Sequence, residues 1–164
     1  MIQKVFAIVL VTAAAVFAGW AGWTWMHASD NAGAHADTRQ QVLDSGEQGI
    51  ANLTTLDYQH VDEGLDRWLE SSTGTLRDSL AQGRDDSRKQ LEAGKSTTVG
   101  KVTDAAVTEL DQNTAQVIAA VEITVTPEGG SPVVKRNRFE AGLSHTDAGW
   151  KLSSLRAVAV GDQS

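Results

Sequence analysis

Between Lys4 and the first acid at Asp30 lies a run from Val5 to Met26 with no formal charge, 22 residues long. As a helix it reaches about 33 Å, against roughly 30 Å for the hydrocarbon core of a bilayer. This is the feature that most restricts the chain, because it predicts a membrane-spanning anchor over 5–26. Trp20, Trp23 and Trp25 crowd one end of the run, where indoles favour the headgroup region. Lys4 precedes the run and the acids follow it, so the charge bias puts residues 1–4 in the cytoplasm and the rest outside. A cleavable signal ending near Ala34-His35-Ala36 is the rival reading, but the apolar core is too long for one and the triplet too far beyond it.

Small residues at Ala14, Ala18 and Gly22 recur every fourth position. That spacing lets a second helix approach closely in lipid, with Trp20 and Trp23 flanking the stripe. An alanine-rich anchor without a partner has the same composition, so both readings stand. The chain has no cysteine, which removes a lipoprotein thioether and any disulfide.

Beyond Met26 there remain 13 Lys+Arg and 21 Asp+Glu, a net charge of −8. So acidic a domain argues against nucleic acid as a partner. An Ala/Gly/Asp-rich linker at 27–37, a domain at 38–160 and a short tail at 161–164 complete the expected layout; about 125 residues suit a single small domain.

Helical spacing marks the first half of that domain. Val42, Ile50 and Leu53 form a loose apolar stripe interrupted by Gly46 and Gly49, each costing about 1 kcal/mol in a helix interior. Leu65, Trp68 and Leu69 follow Asp62 as an N-cap. Leu76, Leu80 and Leu91 then belong to a third helix, opened by Thr75 and stopped by Gly94.

After Lys95 the period changes to two. Val117, Ala119, Val121, Ile123 and Val125 alternate with more polar neighbours, and Phe139, Ala141 and Leu143 take the same face of the next run. With turns at "DQN", "PEGGSP" and "DAG", four sequential strands give an antiparallel meander. The expected fold class is α+β: about three helices packed on a curved antiparallel four-stranded sheet. Glu122 should lie across from Arg136 or Arg138 on the outer face.

Motifs of chemistry are sparse. Histidines 27, 35, 60 and 145 show no metal-ligand spacing,; there is no nucleophile elbow and no phosphate loop. No catalytic, cofactor or metal residue is expected. "LDYQHVDE" gathers Asp57, Tyr58, His60 and Asp62, read as packing aromatic, surface histidine and cap. Asn52-Leu53-Thr54 matches a glycosylation acceptor. Tyr58, Val121, Ile123, Phe139 and Leu143 either line a pocket for a hydrophobic ligand or fill the core.

Asn52-Leu53-Thr54-Thr55 with Asp57-Tyr58, Leu65-Asp66 with Leu69, and Thr73-Gly74 with Leu76-Arg77-Asp78 resemble the Mce-associated membrane proteins of actinobacteria, over roughly residues 38–158. The resemblance implies a SnoaL-like or nuclear-transport-factor-like cone and a non-enzymatic accessory subunit of the cell envelope. It implies partners as well: an MCE-type lipid importer of MCE-domain chains, permease and ATPase, with lipid as a further ligand. A lipid-binding module, a scaffold of type IV secretion and an isomerase in the same cone are the competing readings.

Overall fold

The computed structural model describes residues 35–158. The chain divides after Thr38, and the unit from Arg39 onward carries the fold. Helix α1 is described over 35–54; α2 (Val61–Ser71), α3 (Gly74–Gln82) and α4 (Arg84–Gly94) follow. Strands β1 (Ser96–Leu110), β2 (Thr114–Pro127), β3 (Val133–Thr146) and β4 (Gly149–Val158) form one sheet in the order β1-β2-β3-β4. Every neighbouring pair is antiparallel, as the alternation predicts.

Among the described residues the helices number four rather than about three, because the third expected helix breaks at Gly83. That residue ends α3 and opens α4, its N–H bonded to the Ser79 carbonyl at 3.0 Å and its own carbonyl accepting from Ser87 at 2.9 Å. The break sends the leucines to different places: Leu76 packs on the main core, Leu91 on a smaller cluster of Leu56, Val61 and Leu65. Three cap assignments change too. His60, not Asp62, precedes α2; Thr73, not Thr75, precedes α3. Lys95 rather than Gly94 takes the left-handed turn after α4, at φ 41°. A left-handed lysine is costly; two bonds to Glu128 hold it, one to the backbone and one from the ammonium group.

Core side chains come from α1 and the inner face of the sheet. Val42, Ile50, Val117, Ala119, Val121, Ala141, Leu143, Trp150 and Leu152 are all buried. Gly46 and Gly49 are buried among them. A methyl group at Gly46 would stand 3.2 Å from Val117, and at Gly49 2.9 Å from Leu152. The glycines that weaken α1 as an isolated helix are what let its backbone lie on the sheet.

Two bulges curve β1, between Val102 and Asp104 and between Val107 and Glu109. At each the extra residue is a threonine whose hydroxyl donates to a β2 carbonyl, Thr103 to Ala120 and Thr108 to Gln116. Such bulges bend the strand and increase its twist, and with them the sheet wraps the helices.

Candidate functional site

The segment 55–60 joins α1 to α2 and lies along the start of β1. Leu56 and Thr98 exchange two backbone hydrogen bonds at 2.9 and 2.8 Å. The Gly100 N–H donates to the Thr55 hydroxyl at 3.0 Å, and the Trp68 indole N–H to the Thr55 carbonyl at 3.3 Å. Leu56 is buried beneath. The segment is thereby tied to the sheet margin through an isolated β-bridge at Leu56.

Its titratable groups are tied to the same margin. Asp57 accepts from the Gln59 amide and the Thr97 hydroxyl, each at 3.0 Å, with His60 Nδ1 at the same distance. The His60 bond, then the amide and hydroxyl, pull the Asp57 carboxyl below its ordinary range; Asp57 in turn raises His60. Tyr58 donates to Glu128 at 3.2 Å, opposite the Lys95 ammonium at 2.8 Å. Lys95, then Tyr58, lower Glu128. What these groups do is clasp the α1–α2 segment to β1 and to the β2–β3 turn.

Asp62 points elsewhere. With Asp66 it meets Arg84 and Arg88 of α4, at 3.2 to 3.7 Å from Asp62 and 2.6 Å from Asp66. Asn52 lies within α1 and donates its amide to Ser71 at 2.8 Å, so the glycosylation pattern is occupied by a structural hydrogen bond.

On the inner face Val121 and Leu143 are 1 % exposed, and Ile123 and Phe139 pack half-buried against the same cluster. Tyr58 stands apart from them at the Glu128 end. His145 sets its ring edge against Trp150, centroids 5.1 Å apart. Shallow depressions of about 250 to 320 Å³ open instead toward solvent. One holds Glu109, Glu140, Ser154 and Arg156; another has an apolar floor of Ala106, Ile118 and Ala120 between Asp104 and Arg138. Glu122 meets Arg136 across β2 and β3 at 2.9 Å, which settles between the two outer-face partners, Arg136 and Arg138, that the alternation allows.

Among the described residues no group of three histidine, aspartate or glutamate side chains is placed to hold a metal ion. No helix among them is long and apolar enough to cross a membrane. Ala14, Ala18, Gly22, Trp20 and Trp23, with the whole expected anchor, lie outside the described residues.

The family model described as "Uncharacterized protein Rv1363c/MT1408-like" matches residues 1–158. An uncharacterized protein of Mycobacterium tuberculosis (strain ATCC 25618 / H37Rv), Rv1363c, is 27 % identical over 166 residues, covering 96 % of this chain and 61 % of the relative. The chain thus spans about three-fifths of that relative's length. Among solved structures, an IcmL-like type IV secretion system protein of Legionella pneumophila is similar at TM-score 0.61 and 14 % identity, over 75 % of this chain and 94 % of the other. The periplasmic domain of DotI follows at 0.60 and 12 %, over 73 % and 94 %. CagV of Helicobacter pylori, a VirB8 homolog, is similar at 0.59 and 8 %, over 74 % and 98 %. At such identities the likeness is one of fold, the NTF2-like cone of helices on a curved sheet.

Proposed function

We propose that this chain, which belongs to the Rv1363c/MT1408-like family, is a non-enzymatic accessory or assembly subunit of an MCE-type lipid importer in the cell envelope of actinobacteria. One helix over residues 5–26 anchors it, with the N-terminus cytoplasmic and the cone outside. Its partners are the membrane and a complex of MCE-domain chains with permease and ATPase.

The observation that carries the reading is the cone with its inner face filled. Val121 and Leu143 are spent on packing α1, and the titratable cluster at 57–60 is spent on fastening the sheet margin. Such a domain offers surfaces rather than a reaction chamber. Lipid held in the concave sheet draws correspondingly less support.

A second reading within the same class is a scaffold subunit of a type IV secretion-like system. It is favoured by the likeness to the IcmL-like protein, DotI and CagV. Both readings use the anchor stripe, so Ala18→Leu with Gly22→Leu should lower recovery of a membrane partner from mild detergent. Undiminished recovery would remove the stripe from the mechanism. The identity of the chains recovered separates the importer from the secretion scaffold.

A further inference from the structure

The outer face of the sheet carries a patch whose charges complement one another under a two-fold rotation. Opposite Ala120 of β2 stand Asp104 of β1 and Arg138 of β3, its cross-strand partners. They lie one strand to either side of it, about 10 Å apart at Cα. Between them Ala106, Ile118 and Ala120 floor an open depression of about 320 Å³. The floor is low and apolar, and Ile118, on an inner strand of the sheet, is 39 % exposed. All four strands are described at this level, since Arg138 pairs in turn with Val158 of β4.

Neighbouring charges on the face are matched within the chain. Glu122 accepts from Arg136 at 2.9 Å and Glu140 from Arg156 at 3.1 Å. Among the described residues Asp104 and Arg138 have no ion pair and no side-chain hydrogen bond. A rotation of 180° about an axis along β2 lays a second copy face to face on the first and sets Asp104 of each on Arg138 of the other, the self-complementary form of an isologous contact. An axis across the strands would set acid on acid and base on base. One level along, Glu122 lies between Lys101 and Arg136, so each copy brings a counter-charge to that level. The small side chains of Ala106 and Ala120 let a second sheet approach, roughly 10 Å being the usual separation of packed sheets.

We propose that the outer face about Ala120 binds a second copy of this chain in a two-fold, sheet-to-sheet dimer, with an Asp104–Arg138 pair on either side of an Ile118–Ala120 centre. Removal of the apolar floor from water supplies affinity, and the two ion pairs fix the orientation. The inference goes beyond the accessory role and holds whichever complex the chain serves.

The test uses the full chain in mild detergent, its mass read by sedimentation equilibrium across a range of concentration. The native chain should dimerise reversibly. Asp104→Arg sets base against base and Arg138→Asp sets acid against acid, so each variant alone should dimerise at least about tenfold more weakly. An equal mixture of the two variants should recover the native affinity, because every new charge then meets its opposite on the other chain. That recovery also shows that both variants fold. Variants that dimerise as the native chain does would place the contact on the anchor stripe or another face and overturn the proposal. A mixture no tighter than its components, or a native chain that stays monomeric throughout, would overturn it as well. Loss of a co-purified protein from Asp104→Arg, with the native chain monomeric, would assign the face to that protein instead. Failure here leaves the accessory role intact, because co-purified chains test that role and the mass of the native chain tests this face.

Discussion

Gly49 of α1 lies directly on Leu152 of β4, 103 positions away: a methyl group at Gly49 would stand 2.9 Å from the leucine side chain, which is fully buried. Helix and sheet touch here through a hydrogen atom. Gly49→Ala gains up to about 1 kcal/mol of helix propensity but overpacks a filled core at about 1–3 kcal/mol. A net loss of stability is expected. Gly94→Ala, with no atom within 4 Å of the added methyl, should show none. Thermal melts of the two variants make the comparison, and a stabilised Gly49→Ala would contradict the packing.

Leu152→Ala removes the other side of the same contact. Truncation of a buried leucine costs about 2–5 kcal/mol when the cavity does not collapse. The upper half is expected, because α1, β3 and β4 all close on this side chain. A loss near 1 kcal/mol in denaturant titration would mean the site relaxes.

The bridge at the sheet margin gives a third expectation. Thr55→Val keeps the shape but leaves the Gly100 N–H without its acceptor, and an unsatisfied, partly buried amide costs about 1–3 kcal/mol. Thr55→Ser should restore most of the loss. If valine and serine melt alike, the hydroxyl is not the fastening.

Asp57 and His60 predict a pH dependence whose sign follows from their partnership. His60 is raised above 6.5 by Asp57, so its contribution is fully present below that value and disappears as pH rises through the folded-state value. Asp57 is lowered from 3.8, so its contribution is present above that value and disappears as pH falls through the folded one. Between 3.8 and 6.5 both operate,. The melting difference between the native chain and His60→Ala should therefore be wider near about pH 5.5 than near about pH 8.5. A pH-independent difference would leave only the capping position at work.

How much of this could be read from residues alone follows from range. The four strands were legible because Val117 to Val125 and Phe139 to Leu143 alternate locally; the turn between them narrowed the partner of Glu122 to Arg136 or Arg138, and the register decides for Arg136. The role of Gly46 and Gly49 was not: propensity is local, whereas Val117 and Leu152 are 71 and 103 positions away. The same limit hid the clasp. Asp57, Tyr58 and His60 stand out as titratable residues in sequence, but Thr97 and Glu128 become their partners only when β1 and the β2–β3 turn arrive.

A docking subunit must hold its partners, and retention on the tagged full chain measures that most directly. Membranes solubilised in mild detergent, with mass spectrometry of everything retained, should return MCE-domain chains together with a permease and an ATPase. Recovery of the chain alone with a bound lipid would contradict it and put the concave sheet to use as a lipid site.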